Sequence, residues 1–285
     1  MDKNIKKLLA LLFIFSYGIF NSAAYYFETP KSFSLSEKNC YYPFSLPSGQ
    51  NAESVVFWEE ADEKKSQVSL YTRNSRDGYN WTEKKLLAEG ITFYETPHLF
   101  YSCTSSKKKQ LCAVLKNENE IEIYTSEDSF NTTKVSSIND TTLTLSAPRL
   151  YTLSNGNFIL FVSSSSTANS SAGFIIKYSL SKDGLKWSPL KELNAASSIA
   201  GTGNPIVPVL AAGKKSDLLV FMVQYHRENL ISLQLYACTS KDGASSWSQP
   251  VLITGSSSFE NGREDFYNFS NQAPSLAYDG SSFIL

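Results

Sequence analysis

The chain has 285 residues, of which 42% are hydrophobic and 19% charged, with a formal net charge of −1. A chain so close to neutral offers no bulk electrostatic attraction to nucleic acid. The length suffices for one repetitive domain or two ordinary ones, and plentiful Ser, Thr, Tyr and Phe favour a β-rich, extracellular-type protein.

The N-terminus reads as an export signal. Lys3, Lys6 and Lys7 form a basic region, Leu8–Phe15 is apolar, and Ser22-Ala23-Ala24 supplies small residues for cleavage after Ala24. The alternative is an uncleaved anchor, but Ser16, Tyr17 and Gly18 interrupt the apolar stretch well short of the roughly 20 residues a spanning helix needs. A secreted, periplasmic or cell-surface location is therefore expected, with no transmembrane segment after cleavage. Residues 25–39 have little pattern, and 40–285 carry the repetitive domain.

From Cys40 onward one phrase recurs. It opens on a proline followed by apolar residues: Pro43-Phe44, Pro97 to Phe100, Pro148 to Tyr151, Pro205 to Val207 and Pro274 to Leu276. A polar turn leads to an apolar strand (Val55–Trp58, Leu111–Leu115, Phe158–Val162, Leu218–Val223, Phe283–Leu285). An alternating strand follows (Val68–Tyr71, Ile121–Tyr124, Phe174–Tyr178, Ile231–Tyr236), then an Asp-containing turn and a less regular fourth segment. Four short strands per repeat predict propeller blades, which stack because one small sheet cannot bury both its faces alone. Four blades are complete and a fifth begins near Gln272, so the expected architecture is all-β, about four and a half blades of a six-bladed propeller.

Cys103 and Cys112 flank Thr104–Leu111, which reads as a hairpin turning at Lys107-Lys108. The two cysteines would then face each other, as a disulfide or as two free thiols. With only His98 and His226 and no CxxC, no metal or other cofactor is expected.

The Asp turns are Ser75-Arg-Asp77-Gly78-Tyr-Asn-Trp81, Ser126-Glu-Asp128-Ser-Phe, Ser181-Lys-Asp183-Gly184-Leu-Lys-Trp187 and Ser240-Lys-Asp242-Gly243-Ala-Ser-Ser-Trp247. Their serines are 51, 55 and 59 residues apart. Such an Asp satisfies the turn's own backbone N–H groups, the Gly tolerates positive φ, and the Trp covers the turn, so scaffolding explains the motif without catalysis. The pattern resembles the Asp-box, or bacterial neuraminidase repeat, of sialidase-type β-propellers. The turn at 240–247 matches at full length, those at 75–81 and 181–187 are one residue short, and 126–130 lacks the Trp.

The resemblance implies that these turns join strands three and four on the face away from a binding site. It therefore directs attention to the opposite connections. Gln224–Asn229, carrying His226, Arg227 and Glu228, reads as the two-to-three loop of blade 4. The stretch 255–271 leading into blade 5 carries Arg263, Glu264, Asp265 and Tyr267. Each also reads simply as a solvated loop. Glu95, two before Pro97, and Arg149 are further candidates for ligand contact at the axis, whereas His98 reads as a hydrogen-bonded inner-strand residue. Sialidases of this fold clamp a carboxylate with three arginines, the first in an Arg-Ile-Pro phrase. Here the matching phrase is Tyr41-Tyr42-Pro43, without the arginine, and no catalytic residue is assigned. The expected function is binding of a carbohydrate, such as a sialylated glycan, or of a cell-surface protein. An active exo-α-sialidase and a protein-interaction scaffold are the alternatives, and an arabinanase-type five-bladed glycosidase is disfavoured because no clear set of three axis-facing carboxylates is found.

Overall fold

The computed structural model describes residues 39–48, 53–62, 67–77, 79–92, 101–106, 109–126, 133–166, 174–200, 204–227, 230–254 and 274–285. All lie in one compact unit, Lys38–Leu285. Residues 1–24, read above as an export signal, and residues 25–38 fall outside the described residues.

Four antiparallel sheets follow one another, each with its strands in chain order. Blade 1 is β1 (Asn39–Ser48), β2 (Glu53–Asp62), β3 (Gln67–Ser75) and β4 (Lys85–Thr92). Blade 2 is β5 (Tyr101–Ser105), β6 (Gln110–Asn117), β7 (Glu120–Ser126) and β8 (Thr133–Asn139). Blade 3 is β9 (Leu143–Thr152), β10 (Phe158–Ser166), β11 (Ile175–Ser181) and β12 (Lys191–Glu192). Blade 4 is β13 (Asn204–Ala212), β14 (Asp217–Arg227), β15 (Leu230–Ser240) and β16 (Val251–Leu252), reached through α1 (Asn194–Ala200). A two-stranded piece, β17 (Ala277–Tyr278) and β18 (Phe283–Ile284), opens the fifth.

The second strands explain the stacking. Every residue from Leu111 to Leu115 and from Phe158 to Val162 is buried, although alternate residues point to opposite sheet faces. A strand buried on both faces reads as a continuous apolar run, and here each face meets a neighbouring blade. One core cluster joins Val55 and Phe57 of blade 1, Cys112 and Val114 of blade 2, and Leu150 and Leu160 of blade 3. A second joins Phe161 and Ile176 of blade 3 to Phe221 and Tyr225 of blade 4. A third sets Val220 and Met222 of blade 4 against Leu276. Outer strands such as β8 are mostly exposed. Helix α1 was not foreseen from sequence; buried Ala195 and Ala196 seat it on the blade 3–blade 4 core, where their small side chains permit close approach.

The first strands touch one another from blade to blade: β1 with β5, β5 with β9, β9 with β13 and β13 with β17. Hydrogen bonds tie them together. Leu150 N donates to Ser102 Oγ at 2.9 Å, Thr152 Oγ1 donates to Ser105 O at 3.2 Å, and Tyr151 OH donates to Pro208 O at 3.2 Å. These bonds pin the height of each inner strand against the next.

Register corrects three expectations. Of the stretch expected as a loop at Gln224–Asn229, residues 224–227 continue β14, which pairs with β15 through His226↔Ile231 to Arg227↔Leu230, and Glu228 and Asn229 lie outside the described residues. Uninterrupted cross-strand pairing and the burial of Tyr225 extend the strand beyond where its polar residues suggested. In blade 4 the proline equivalent to Pro43 and Pro148 is Pro208, not Pro205, because the irregularity in β13 lies between Ile206 and Val209. In blade 2, Ser102 pairs with Ala113 as Arg149 pairs with Phe161, so Ser102 rather than His98 stands at that position. Glu95, Pro97 and His98 lie outside the described residues.

Candidate functional site

Each described Asp turn commits its carboxylate to hydrogen bonds within the turn. Asp242 accepts from Ser246 Oγ at 2.5 Å, Ser246 N at 2.9 Å and Ser240 Oγ at 2.8 Å. Asp183 accepts from Leu185 N, Lys186 N and Ser181 Oγ. Asp77 accepts from the Tyr79 and Asn80 amides and from Asn80 Nδ2, each at 2.8 Å. Donors converging on an ionised carboxylate favour the charged form. The Ser246 hydroxyl and amide hold Asp242 down at about 2. The Asn80 donors hold Asp77 well below the usual range, and the Lys186 and Leu185 amides do the same for Asp183. These groups are acceptors committed to their own turns.

The turns also dock onto the preceding blade. A Cβ at Gly184 would lie 2.7 Å from Leu111 Cδ1 of blade 2, and one at Gly243 would lie 2.1 Å from Asn155 Nδ2 of blade 3. Trp247 packs against Phe161 with ring centroids 6.4 Å apart, and Trp187 packs against the blade 2–blade 3 core. Trp187 Nε1 donates to Gly184 O at 3.2 Å, and Trp81 bridges back to Ser75. Asp128 and Gly78, with the side chain of Ser126, lie outside what is described.

The inner strands carry a different feature. In β1, β9 and β13 an extra residue enters the ladder at the same level, at Tyr42-Pro43, Ala147-Pro148 and Val207-Pro208. Proline suits such a bulge because it cannot donate to a ladder. The preceding Ala147 and Val207 sit at φ 46° and 48°. Positive φ is costly for a side chain with a Cβ, above all a β-branched one. A repeated bulge of this kind re-aims the side chains beside it, and bulges cluster next to functional sites.

The residue following the proline is Phe44, Arg149 or Val209, with Ser102 at the corresponding level of blade 2. Among these only Arg149 is charged. Its Nε is buried and finds no hydrogen-bond acceptor among the described residues. Its side chain shares a sheet face with Tyr151, and burial pushes the Tyr151 hydroxyl up against the opposing pull of the Arg149 cation. Two residues before the proline stand Tyr41, Ser146 and Ile206, so no arginine occupies that level in blades 1, 3 or 4.

The remaining candidates are not assembled here. Glu228, Arg263, Glu264, Asp265 and Tyr267 lie outside the described residues, as do the side chains of His226 and Arg227, whose backbones are in β14. Sequence reasoning named Arg149 without its distinguishing feature, the bulge beneath it, and missed Tyr151. The recurring proline marked the level at which β1 and β9 bulge, but not that the chain bulges there. Among the described residues, no group of three or more His, Cys, Asp or Glu side chains could hold a metal. Nor is any described helix long and apolar enough to cross a membrane.

No protein-family model matches the chain, and no curated protein matches it. Among solved structures, it is similar to an α-L-arabinanase of Penicillium chrysogenum complexed with arabinobiose, at 17% identity, covering 76% of this chain and 67% of that one, TM-score 0.52. It is similar to an α-L-arabinofuranosidase of Fusarium graminearum bound to an iminosugar inhibitor, at 16% identity over 76% and 67% of the two chains, TM-score 0.53. A protein of unknown function from Dyadobacter fermentans matches at 12% identity over 76% and 65%, TM-score 0.53. The chain thus spans about two thirds of these relatives in structure. At such identities the likeness is one of fold, and the fold is the β-propeller on which those glycoside hydrolases are built.

Proposed function

We propose that this chain is an exported β-propeller that binds a carbohydrate, with the bulged inner strands forming the floor of the site. The observation that carries the reading is Arg149. It follows a strained bulge on an inner strand and presents a buried N–H without an acceptor among the described residues, while the Asp turns have committed their carboxylates. A guanidinium in that position suits a glycan hydroxyl or carboxylate, because its donors form a rigid planar fork. The similar folds that bind arabinobiose or an iminosugar inhibitor support the substrate class. The sequence of residues 1–24 supports export.

An exo-α-sialidase has less support, since Tyr41, Ser146 and Ile206 stand where an Arg-Ile-Pro arginine would. The test is calorimetric titration of the purified chain with arabino-oligosaccharides and with sialyl-lactose. Binding of either is expected to weaken about 10- to 100-fold in Arg149→Ala, the value of one charge-assisted hydrogen bond. Unchanged affinity in that variant would remove Arg149 from the site. No binding across a broad glycan panel, with a protein partner captured instead, would leave the scaffold reading standing.

A further inference from the structure

We infer that Cys103 and Cys112 are joined by a cross-strand disulfide, formed during folding, that staples the first hairpin of blade 2. The two residues are direct partners in the β5–β6 ladder, and their Sγ atoms lie 2.9 Å apart as thiols. Ser106 N donates to Lys109 O at 2.8 Å, closing the hairpin with a hydrogen-bonded pair. Counting back, Ser105–Gln110 is a non-hydrogen-bonded pair, Thr104–Leu111 a hydrogen-bonded one, and Cys103–Cys112 again non-hydrogen-bonded. In that class the Cα atoms stand about 4.5 Å apart, which is within the span a disulfide bridges. Little backbone movement separates the two thiols from a bond.

Location explains the timing. Cys103 and Cys112 are 4% and 3% exposed. They share a sheet face with Tyr101, whose ring meets Phe57 of blade 1 at 6.2 Å. Once blades 1 and 2 pack, no oxidant of protein size reaches them, so the bond must form on the open hairpin. Each thiol gives up its proton, and together they lose two electrons to a disulfide-bearing oxidant, which is released as two thiols. Export would supply such an oxidant, so the inference rests on that part of the proposed function alone.

Blade 2 is also the blade whose Asp turn lacks a Trp, the residue that in blades 3 and 4 packs against the preceding blade. Cys238 is buried in blade 4 and serves as an internal control.

The chain is produced in an oxidising compartment, denatured without reductant, alkylated and digested. The expected result is one linked peptide pair containing Cys103 and Cys112, with Cys238 alkylated. Reduction before refolding should lower the melting temperature by about 5 °C or more in the wild type and leave Cys103→Ser/Cys112→Ser unchanged. Both cysteines alkylated, here and after refolding with oxidised and reduced glutathione, would overturn the inference. So would a link from either to Cys40 or Cys238. The wild-type mapping decides the matter even if the double variant fails to fold, and carbohydrate binding has no bearing on it.

Discussion

Replacing Gly243 with alanine tests how the Asp turns hold adjacent blades together. Gly243 has φ 69°, and a methyl there would sit 2.1 Å from Asn155 Nδ2 of the preceding blade. Two costs follow. Left-handed backbone costs a residue with a Cβ about 1–2 kcal/mol. Asn155 must also swing away, and its Oδ1 then loses the Asn157 amide it accepts at 2.9 Å, worth about 1 kcal/mol. The sum, about 2–3 kcal/mol, predicts a fall in melting temperature of about 5–10 °C for a domain of this size. Thermal unfolding followed by circular dichroism measures it. The partner variant Asn155→Ala loses only the turn's hydrogen bond. In Gly243→Ala/Asn155→Ala the clash is gone, so the double variant should cost about 1 kcal/mol less than the sum of the singles. Strict additivity, or a Gly243→Ala shift under about 2 °C, would refute a tight contact between the turn and the neighbouring blade.

Two further outcomes are expected. Ser102→Ala leaves the buried Leu150 amide without the acceptor it now has at 2.9 Å, so it should destabilise by about 1–3 kcal/mol in denaturant titration; a neutral result would mean the inner strands are not tied at that point. The Asp-turn carboxylates have folded-state pKa values below the unfolded one. Their stabilisation is therefore complete above the unfolded value of 3.8 and is lost as pH falls through the folded value, about 2 for Asp242. Melting temperature should drop steeply across that window, and Asp242→Asn should flatten the drop; a variant with the wild-type slope would show that the turn does not titrate with folding.

Some of this architecture was legible from residues alone because its causes are local. A Ser-x-Asp turn satisfies its own amides wherever it lies, and a four-strand phrase recurs whether or not the blades are packed. Hence the four blades, the start of the fifth within Pro274–Leu285, and the facing of Cys103 by Cys112 could be read directly. The candidate site was less accessible. Arg149 is one of five arginines in the chain, and nothing in the order Ala147-Pro148-Arg149 announces a bulge, a positive φ or a donor without an acceptor among the described residues.

What the sequence determined by itself was the repeat, its turns and its apolar strands, since each depends on residues only a few positions apart. Only the tertiary structure decided register: that Pro208 rather than Pro205 carries the blade 4 bulge, that Ser102 stands level with Arg149, and that His226 and Arg227 lie in a strand. Register is a contest among pairings that look alike in one dimension. It is settled by which cross-strand hydrogen bonds and inter-blade contacts, such as Tyr151 to Pro208, can be made together.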